Sequence, residues 1–312
     1  MTAPLSVAIV GAGAIGGVLA AHLGAAGASV RVLARNQTLE AWRRDGIAVT
    51  TDDGTLHHRP DAVSDDPAAL GPVDLVLVTV KGQDTGAVIP AIQEMIGPDS
   101  RVLSFQNGLD GLERLTEAFG GERCLAGVTY VPASVTAPGQ VRLTGPVRRF
   151  VFGPATPAAV SSHVEELARL GSIGGLRMEP TDDPMPAIWA KFTMLTAFHM
   201  VSALTRLPLG GWINQPETAA LYARAMEETA ALGRARGIDL PDGLVATNMQ
   251  FSRETADPRT RASMLDDLER GRPLELDSTV GWLIRAAAEQ GVPVPVHETC
   301  HALLKPHLNG AS

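Results

Sequence analysis

The 312-residue chain is poor in cysteine, in aromatic residues and in long apolar runs, and each deficit excludes a class of protein. Two cysteines, Cys124 and Cys300, cannot build a disulfide framework, and they fit a reducing compartment as free thiols. Aromatic residues make up 4% of the chain, which is too few for platforms on which nucleic-acid bases stack. No uninterrupted apolar run reaches the roughly 18 residues of a membrane helix. These deficits predict a soluble, cytoplasmic protein.

Positive charge is also scarce, because 26 Lys and Arg residues face 34 Asp and Glu residues and the formal net charge is −8. An acidic chain lacks the basic surface that binds nucleic acid or anionic membranes, so neither is expected as a partner. The share of hydrophobic residues, 45%, is that of a globular protein, and at this length two domains are expected. Composition leaves the oligomeric state open, and a homodimer is compatible with it.

The order of the apolar runs predicts a fold class and a domain boundary. In the first half of the chain, short β-rich runs alternate with helical stretches, a rhythm typical of a doubly wound parallel sheet. Shorter runs between residues 127 and 153, separated by Pro and Gly, indicate an antiparallel extension of that sheet. Later segments show helical periodicity only. We therefore predict a Rossmann-type α/β domain over residues 1–178 and an all-helical domain over residues 179–312, with a linker at residues 182–186.

A glycine-rich turn follows the first predicted strand and opens the first predicted helix. Gly11, Gly13 and Gly16 fit the pattern G-x-G-x-x-G, and Ala14 and Ile15 complete it. The first glycine permits a tight turn, the second lets the backbone approach a pyrophosphate, and the third lets the helix pack closely on the strand. N–H groups at the helix N-terminus then bind the phosphates. These five residues predict a dinucleotide site, and a turn that serves only geometry is the alternative.

The end of the second predicted strand indicates which dinucleotide is bound. An NAD enzyme usually has Asp or Glu there, about 20 residues after the glycines, to bind the ribose 2′-hydroxyl. This chain has Arg35 and no acid nearby, and a guanidinium pairs well with a 2′-phosphate. The predicted cofactor is therefore NADPH, and an exposed arginine without a ligand is the alternative interpretation.

Several further motifs occur in an order that resembles the ketopantoate reductase family, and the resemblance spans nearly the whole chain. It implies that NADPH reduces a 2-oxo acid, either 2-dehydropantoate or a related and bulkier ketone, to the 2-hydroxy acid. It also implies a place in pantothenate biosynthesis and an active site in the cleft between the domains. The motifs are the glycine turn extended to Gly17, Val80-Lys81, Phe105-Gln106-Asn107-Gly108, Trp189-Ala190-Lys191, Ser263-Met264-Leu265-Asp266-Asp267 and Glu275-Leu276-Asp277.

The resemblance also implies roles for single residues. Lys191 would be the catalytic proton donor, and Glu275 would hold and orient its ammonium group. Ser263 would bind the substrate carboxylate, Asn107 would lie near nicotinamide and substrate, and Lys81 would lie near the cofactor. A lysine suits the reaction on chemical grounds, since a developing alkoxide needs a proton donor and positive charge. Each residue also has a structural alternative. Lys191 and Lys81 could be surface lysines, Glu275 an acid at a helix start, Ser263 a helix-surface serine, and Asn107 part of a turn.

The helix of Lys191 departs from the family pattern. Family members carry asparagines four and eight residues after the lysine, whereas this chain has Leu195 and His199, with Ser202 next on the same face. Leucine cannot form a hydrogen bond with a substrate, and histidine adds a titratable donor. We expect these residues to line the substrate site and to favour a bulkier, more apolar 2-oxo acid or other ketone. A packed core histidine is the alternative for His199.

Two other functions are weaker alternatives. His297 and His301 fit the zinc pattern H-E-x-x-H, but Leu304 replaces the glycine of its extended form, so no metal is expected. A non-catalytic protein that senses NADPH on the same scaffold is the other alternative. Lys191 and Glu275 argue against it, because a sensor needs no proton donor.

Overall fold

A computed structural model describes residues 4–157, 159 and 163–310, and the chain divides into two compact units. One unit comprises Met1–Gln106 and Gly111–Pro184, and the other comprises Asn107–Asp110 and Met185–Ser312. The division after Pro184 falls inside the predicted linker. The sequence-derived boundary at residue 178 instead lies inside the last strand of the first unit, because that strand is completed by sheet pairing.

The first unit contains most of the regular elements of the chain. In chain order they are β1 (Ser6–Val10), α1 (Ala14–Ala25), β2 (Ser29–Leu33), α2 (Asn36–Asp45), β3 (Ile47–Thr50), β4 (Thr55–His58), β5 (Ala62–Ser64), β6 (Val73–Val78), α3 (Thr85–Glu94), β7 (Ile96–Ser104), α4 (Asp110–Phe119), β8 (Cys124–Tyr130), β9 (Ala133–Ala137), β10 (Gln140–Leu143), β11 (Arg149–Pro154), α5 (His163–Ile173) and β12 (Arg177–Pro180).

Eight of these strands form one sheet in the order β12-β11-β8-β7-β6-β1-β2-β5. Neighbours from β8 to β5 are parallel, whereas β11 pairs antiparallel with β8 and carries β12 at the edge. On β1, Val7 and Ile9 belong to one buried cluster and Ala8 and Val10 to another, so the sheet has an apolar core on each face. The predicted fold class, a doubly wound parallel sheet with an antiparallel extension, is confirmed.

A second, smaller sheet was not expected from the apolar pattern. It has the strand order β4-β3-β10-β9, and it includes Gln140–Leu143, which the pattern alone assigns to the extension of the main sheet. Its strands are short, and β4 alternates between exposed and half-buried positions. Such strands carry little hydrophobic periodicity, so only their pairing partners reveal which sheet they join.

The second unit is all-helical, as predicted. The 21-residue helix α6 is long and apolar enough to cross a membrane, but 61% of its most apolar stretch is buried within the protein, as in the core helix of a globular domain. The elements of this unit are α6 (Met185–Thr205), α7 (Leu209–Trp212), α8 (Pro216–Ala235), α9 (Leu244–Glu254), α10 (Ser263–Glu269), a π-helical turn (Asp277–Gly281), α11 (Trp282–Gln290) and α12 (Pro295–Leu304).

An aromatic cluster holds the first half of α6 in place. The rings of Trp189, Phe192 and Trp282 meet edge to face, with centroids 5.7 to 5.9 Å apart. Each such contact contributes about 0.5–1.5 kcal/mol beyond simple burial. Because successive helical residues are about 100° apart, Trp189 and Phe192 leave Lys191 on a different face of α6. The cluster therefore fixes the turn that carries this lysine.

Candidate active site

The glycine turn between β1 and α1 is closed by contacts that exclude side chains. Gly11 has a φ of +114°, and a Cβ atom on it would lie 2.6 Å from the backbone nitrogen of Val80. A Cβ atom on Gly16 would collide with the carbonyl oxygen of Gly11. The hydroxyl of Thr79 donates to that carbonyl at 2.7 Å and secures the turn. Backbone packing therefore requires the first and third glycines.

Packing does not require the second glycine, since a Cβ atom on Gly13 would project into open space. It directly precedes α1, whose first turn contains Ala14 and Ile15, has no acidic residue and lacks a side-chain cap. The N–H groups of a helix start have no partners within the helix, and the helix dipole makes them attractive to anions. The open space at Gly13 leaves room for an anion to approach these N–H groups, which is how phosphates bind in dinucleotide sites.

A cavity of about 140 Å³ lies beside this turn, at the ends of β1 and β2. Arg35, which is exposed, precedes α2, and the first turn of α2 contains no acidic residue. A guanidinium next to a helix N-terminus is an arrangement that suits a phosphate group. The residues that line the cavity are Val10, Gly11, Ala12, Leu33, Ala34, Arg35, Thr38, Val80 and Val88.

Lys81 lies in the loop after β6, next to Val80 of the cavity wall. Gln106 ties this loop to the end of β7, because its Nε2 donates to the carbonyl of Val80 at 3.0 Å and to the Thr85 hydroxyl at 2.8 Å. The Gln106 and Thr85 side chains are buried. No spacing rule pointed to this pair or to Thr79, because their groups meet only after β1, β6 and β7 have paired.

In the second unit, the structure brings Lys191 together with Asn107. The Lys191 ammonium donates to Oδ1 of Asn107 at 2.9 Å. Asn107 follows β7 in sequence, but Asn107–Asp110 is grouped with the helical unit. Arg285 supports this segment by donating to Asp110 at 3.2 Å. Gly108 has a φ of +85°, which a glycine adopts without strain, so the segment turns sharply after Asn107.

The environment of Lys191 changes its acidity. Burial lowers the pKa of the Lys191 ammonium to about 8, and the carboxylate of Glu275 partly opposes this shift by favouring the charged form. Glu275 is buried and lies two residues before the π-helical turn, whose Thr279 amide donates to the Glu275 carbonyl at 3.2 Å. π-helical turns occur frequently at functional sites. An amine with this pKa can exchange a proton near neutral pH.

Two helical turns beyond Lys191, His199 lies buried against Ser263. Its Nε2 is 3.4 Å from the Ser263 hydroxyl oxygen, and its Nδ1 has no hydrogen-bond partner among the described residues. Burial, with a smaller effect of the Lys191 charge, lowers the pKa of His199 to about 4, so the ring is neutral at pH 7. Ser263 begins α10 and is exposed, and Leu195 lies half-buried between the lysine and the histidine on α6.

Ser202 lies apart from this arrangement. The residue is fully buried, and its hydroxyl oxygen accepts a hydrogen bond from Nε1 of Trp212 at 3.3 Å. A buried tryptophan N–H needs such a partner, so core packing accounts for the serine without a ligand.

Both histidines of the H-E-x-x-H pattern contact partners within the helical unit. Nδ1 of His297 lies 2.7 Å from a carboxylate oxygen of Glu228, which also accepts the backbone N–H groups that begin α12. Nε2 of His301 lies 2.8 Å from a carboxylate oxygen of Asp277. Within the described part of the chain, no group of three or more His, Cys, Asp or Glu side chains is placed to hold a metal ion. Helix packing accounts for the H-E-x-x-H spacing.

Comparison with known proteins gives matches over nearly the whole chain. The family model described as "Ketopantoate reductase PanE/ApbA" matches residues 7–157, and "Ketopantoate reductase PanE/ApbA C terminal" matches residues 183–308. A 2-dehydropantoate 2-reductase of Caulobacter vibrioides is 32% identical over 302 residues, which cover 96% of this chain and 98% of that protein.

Solved structures agree with the sequence matches. The crystal structure of a PanE/ApbA family ketopantoate reductase from Ralstonia eutropha JMP134 has a TM-score of 0.88 at 32% identity, covering 97% of this chain and 98% of the other. That of 2-dehydropantoate 2-reductase from Geobacter metallireducens GS-15 has a TM-score of 0.89 at 30% identity, covering 97% and 99%. Both units therefore have counterparts in known structures.

Proposed function

The chain belongs to the ketopantoate reductase family, and we propose that it reduces a 2-oxo acid to the 2-hydroxy acid with hydride from NADPH and a proton from Lys191. The main support for this proposal is the environment of Lys191. Its ammonium donates a hydrogen bond to Asn107, and burial lowers its pKa to about 8 although the Glu275 charge favours the ammonium form. Lysine is rare in this chain, at positions 81, 191 and 305 only. Arginine, the common cation here, cannot release a proton at neutral pH.

The proposed chemistry assigns a task to each polar group around Lys191. NADPH, when bound, supplies hydride to the carbonyl carbon of the substrate. As the electron pair of the C=O π bond moves onto oxygen, the Lys191 ammonium donates a proton to that oxygen and becomes a neutral amine, which solvent then reprotonates. Asn107 holds the amine in position through its side-chain oxygen. Glu275 keeps the resting amine charged, because its carboxylate favours the ammonium form.

The first unit supplies the groups that would hold NADPH. The backbone N–H groups at the start of α1, next to Gly13, would bind the pyrophosphate. Arg35 and the start of α2 would bind the 2′-phosphate. The first turns of α1 and α2 contain no acidic residue, so no carboxylate on these turns repels the phosphates. Lys81, in the loop next to the cavity, would add positive charge near the cofactor.

Oxidation of NADPH in the presence of a panel of 2-oxo acids tests the proposal. We expect turnover that depends on the 2-oxo acid and yields one equivalent of the 2-hydroxy acid for each NADPH consumed. Simple ketones that lack the carboxylate serve as controls and should react much more slowly. Tight NADPH binding without turnover of any 2-oxo acid would contradict the proposal and favour the NADPH-sensing alternative.

The rate of reduction should fall as the pH rises through the pKa of Lys191. The proton donor must be charged, and a group with a pKa of about 8 is about nine-tenths protonated at pH 7. We therefore expect kcat/KM for reduction to be level below about pH 7 and to fall about tenfold per pH unit well above pH 8. In Glu275→Gln, the inflection should move to lower pH, because a carboxylate that favours the ammonium is lost. A profile that rises above pH 8 would exclude Lys191 as the donor, and an inflection unmoved in Glu275→Gln would contradict the role given to Glu275.

A further inference from the structure

The face of α6 that carries Lys191 becomes apolar within one helical turn. Leu195 follows the lysine after one turn and His199 after two, so the three side chains lie along one stripe of the helix. Leu195 is half-buried and has no hydrogen-bonding group. His199 is therefore the next polar side chain along this stripe, and its hydrogen-bonding capacity decides what the stripe offers to a substrate.

The hydrogen-bonding capacity of His199 is directed at Ser263. A neutral imidazole has one N–H donor and one lone pair. Nδ1 has no accessible surface and no partner among the described residues, whereas Nε2 faces the Ser263 hydroxyl at 3.4 Å. Unpaired buried N–H groups are rarer than unpaired acceptors, so the favoured tautomer has its proton on Nε2 and donates it to Ser263.

This tautomer determines what Ser263 can do. Its hydroxyl oxygen accepts from Nε2 of His199, so its own proton remains available to a further acceptor. Ser263 is exposed, in contrast to the buried histidine behind it. A hydroxyl polarised in this way is a donor for an anionic oxygen such as a carboxylate. The buried Nδ1 offers nothing to a ligand.

We infer that His199 positions Ser263 as the donor to the substrate carboxylate, and that Leu195 then selects 2-oxo acids whose side chain carries no hydroxyl. This inference rests on the proposed function, because it names the substrate class of the same site. On the α6 stripe, Leu195 lies one turn from Lys191 and one turn from His199, the residue that contacts Ser263. A hydroxyl placed against leucine loses its hydrogen bonds to water without replacement, whereas an aliphatic or aromatic group does not.

A matched pair of substrates tests this selection. Ketopantoate and 3,3-dimethyl-2-oxobutanoate differ only in one terminal hydroxyl, so the ratio of their kcat/KM values isolates its effect. We expect the compound without the hydroxyl to be preferred about ten- to hundredfold, since a hydrophobic pocket rejects an added hydroxyl to about this extent. In Leu195→Asn the preference should reverse, because the amide can bind the hydroxyl. A wild-type preference for ketopantoate would overturn the inference and leave the proposed function intact.

Variants of His199 test the positioning role. His199→Leu removes the donor behind Ser263, so KM for both substrates should rise about ten- to hundredfold with little change in kcat. His199→Gln, whose amide N–H can replace Nε2–H, should restore most of this loss. In a Ser263→Ala background, His199→Leu should have no further effect on KM, since both act through one contact. If the effects of His199→Leu and Ser263→Ala on KM add, or if His199→Gln does not restore KM, then His199 is only a packing residue. Failure of every 2-oxo acid to react would overturn the proposed function and this inference with it.

Discussion

Replacement of Lys191 by alanine should lower kcat by about 10³-fold while the affinity for NADPH stays nearly unchanged. A positioned general acid contributes about 10²–10⁴-fold to a rate, and the charge of the ammonium adds to this. The groups proposed to hold the phosphates belong to the first unit, so they are intact in Lys191→Ala. Stopped-flow or steady-state turnover gives kcat, and fluorescence titration gives the dissociation constant of NADPH.

The controls for this variant address folding and charge. Removal of the lysine takes away a positive charge that interacts favourably with the buried Glu275 carboxylate, which is destabilising, so Lys191→Ala/Glu275→Gln should regain thermal stability without regaining turnover. Lys305→Ala removes a lysine of the same unit that is paired with Asp277 at the surface, and its kcat should stay within about twofold of wild type. Unchanged turnover in Lys191→Ala would exclude the proposed mechanism.

Replacement of Arg35 by alanine should weaken NADPH binding about 100-fold and leave NADH binding nearly unchanged. Each charge-assisted hydrogen bond contributes about 1.5–3 kcal/mol, and a guanidinium can make two of them with a 2′-phosphate. NADH has a hydroxyl at that position and gains little from the arginine. Titration of wild type and variant with both cofactors gives the four dissociation constants needed.

A second arginine of the same region separates a direct contact from general electrostatics. Arg44 is exposed on α2, the helix that Arg35 precedes, and is paired with Asp45, so Arg44→Ala removes an equal charge from a nearby position. We expect this control to change the affinities for both cofactors by less than about threefold, because exposed charges are screened. Equal weakening of NADPH and NADH in Arg35→Ala would contradict a 2′-phosphate contact.

The dinucleotide turn could be predicted from the sequence because all of its determinants are local. Gly11, Gly13 and Gly16 lie within six consecutive positions, and their spacing alone places them after a strand and before a helix. The structure adds the reason for each residue, namely the close approach of Val80 to Gly11 and the open space above Gly13. Thr79, which secures the turn, has no such local signal because it follows a distant strand, β6.

The surroundings of Lys191 could not be predicted from the residues alone. Asn107 and Lys191 are 84 positions apart, and only resemblance to a family suggested that they act together. Neither the residues nor the resemblance predicted the contact between His199 and Ser263, which are 64 positions apart. Helical periodicity placed Leu195, His199 and Ser202 on one face, but it could not tell that Trp212 covers the last of them.

The fold class, the glycine turn and the lack of an acid at the end of β2 could be read from the residues, because each depends on residue type and short-range order. The tertiary structure alone decided which polar groups lose contact with water. Burial lowers the pKa of Lys191 to about 8 and that of His199 to about 4, and long-range contacts give these groups Asn107 and Ser263 as partners. Desolvation and partner choice depend on segments far apart in the chain, so no local pattern encodes them.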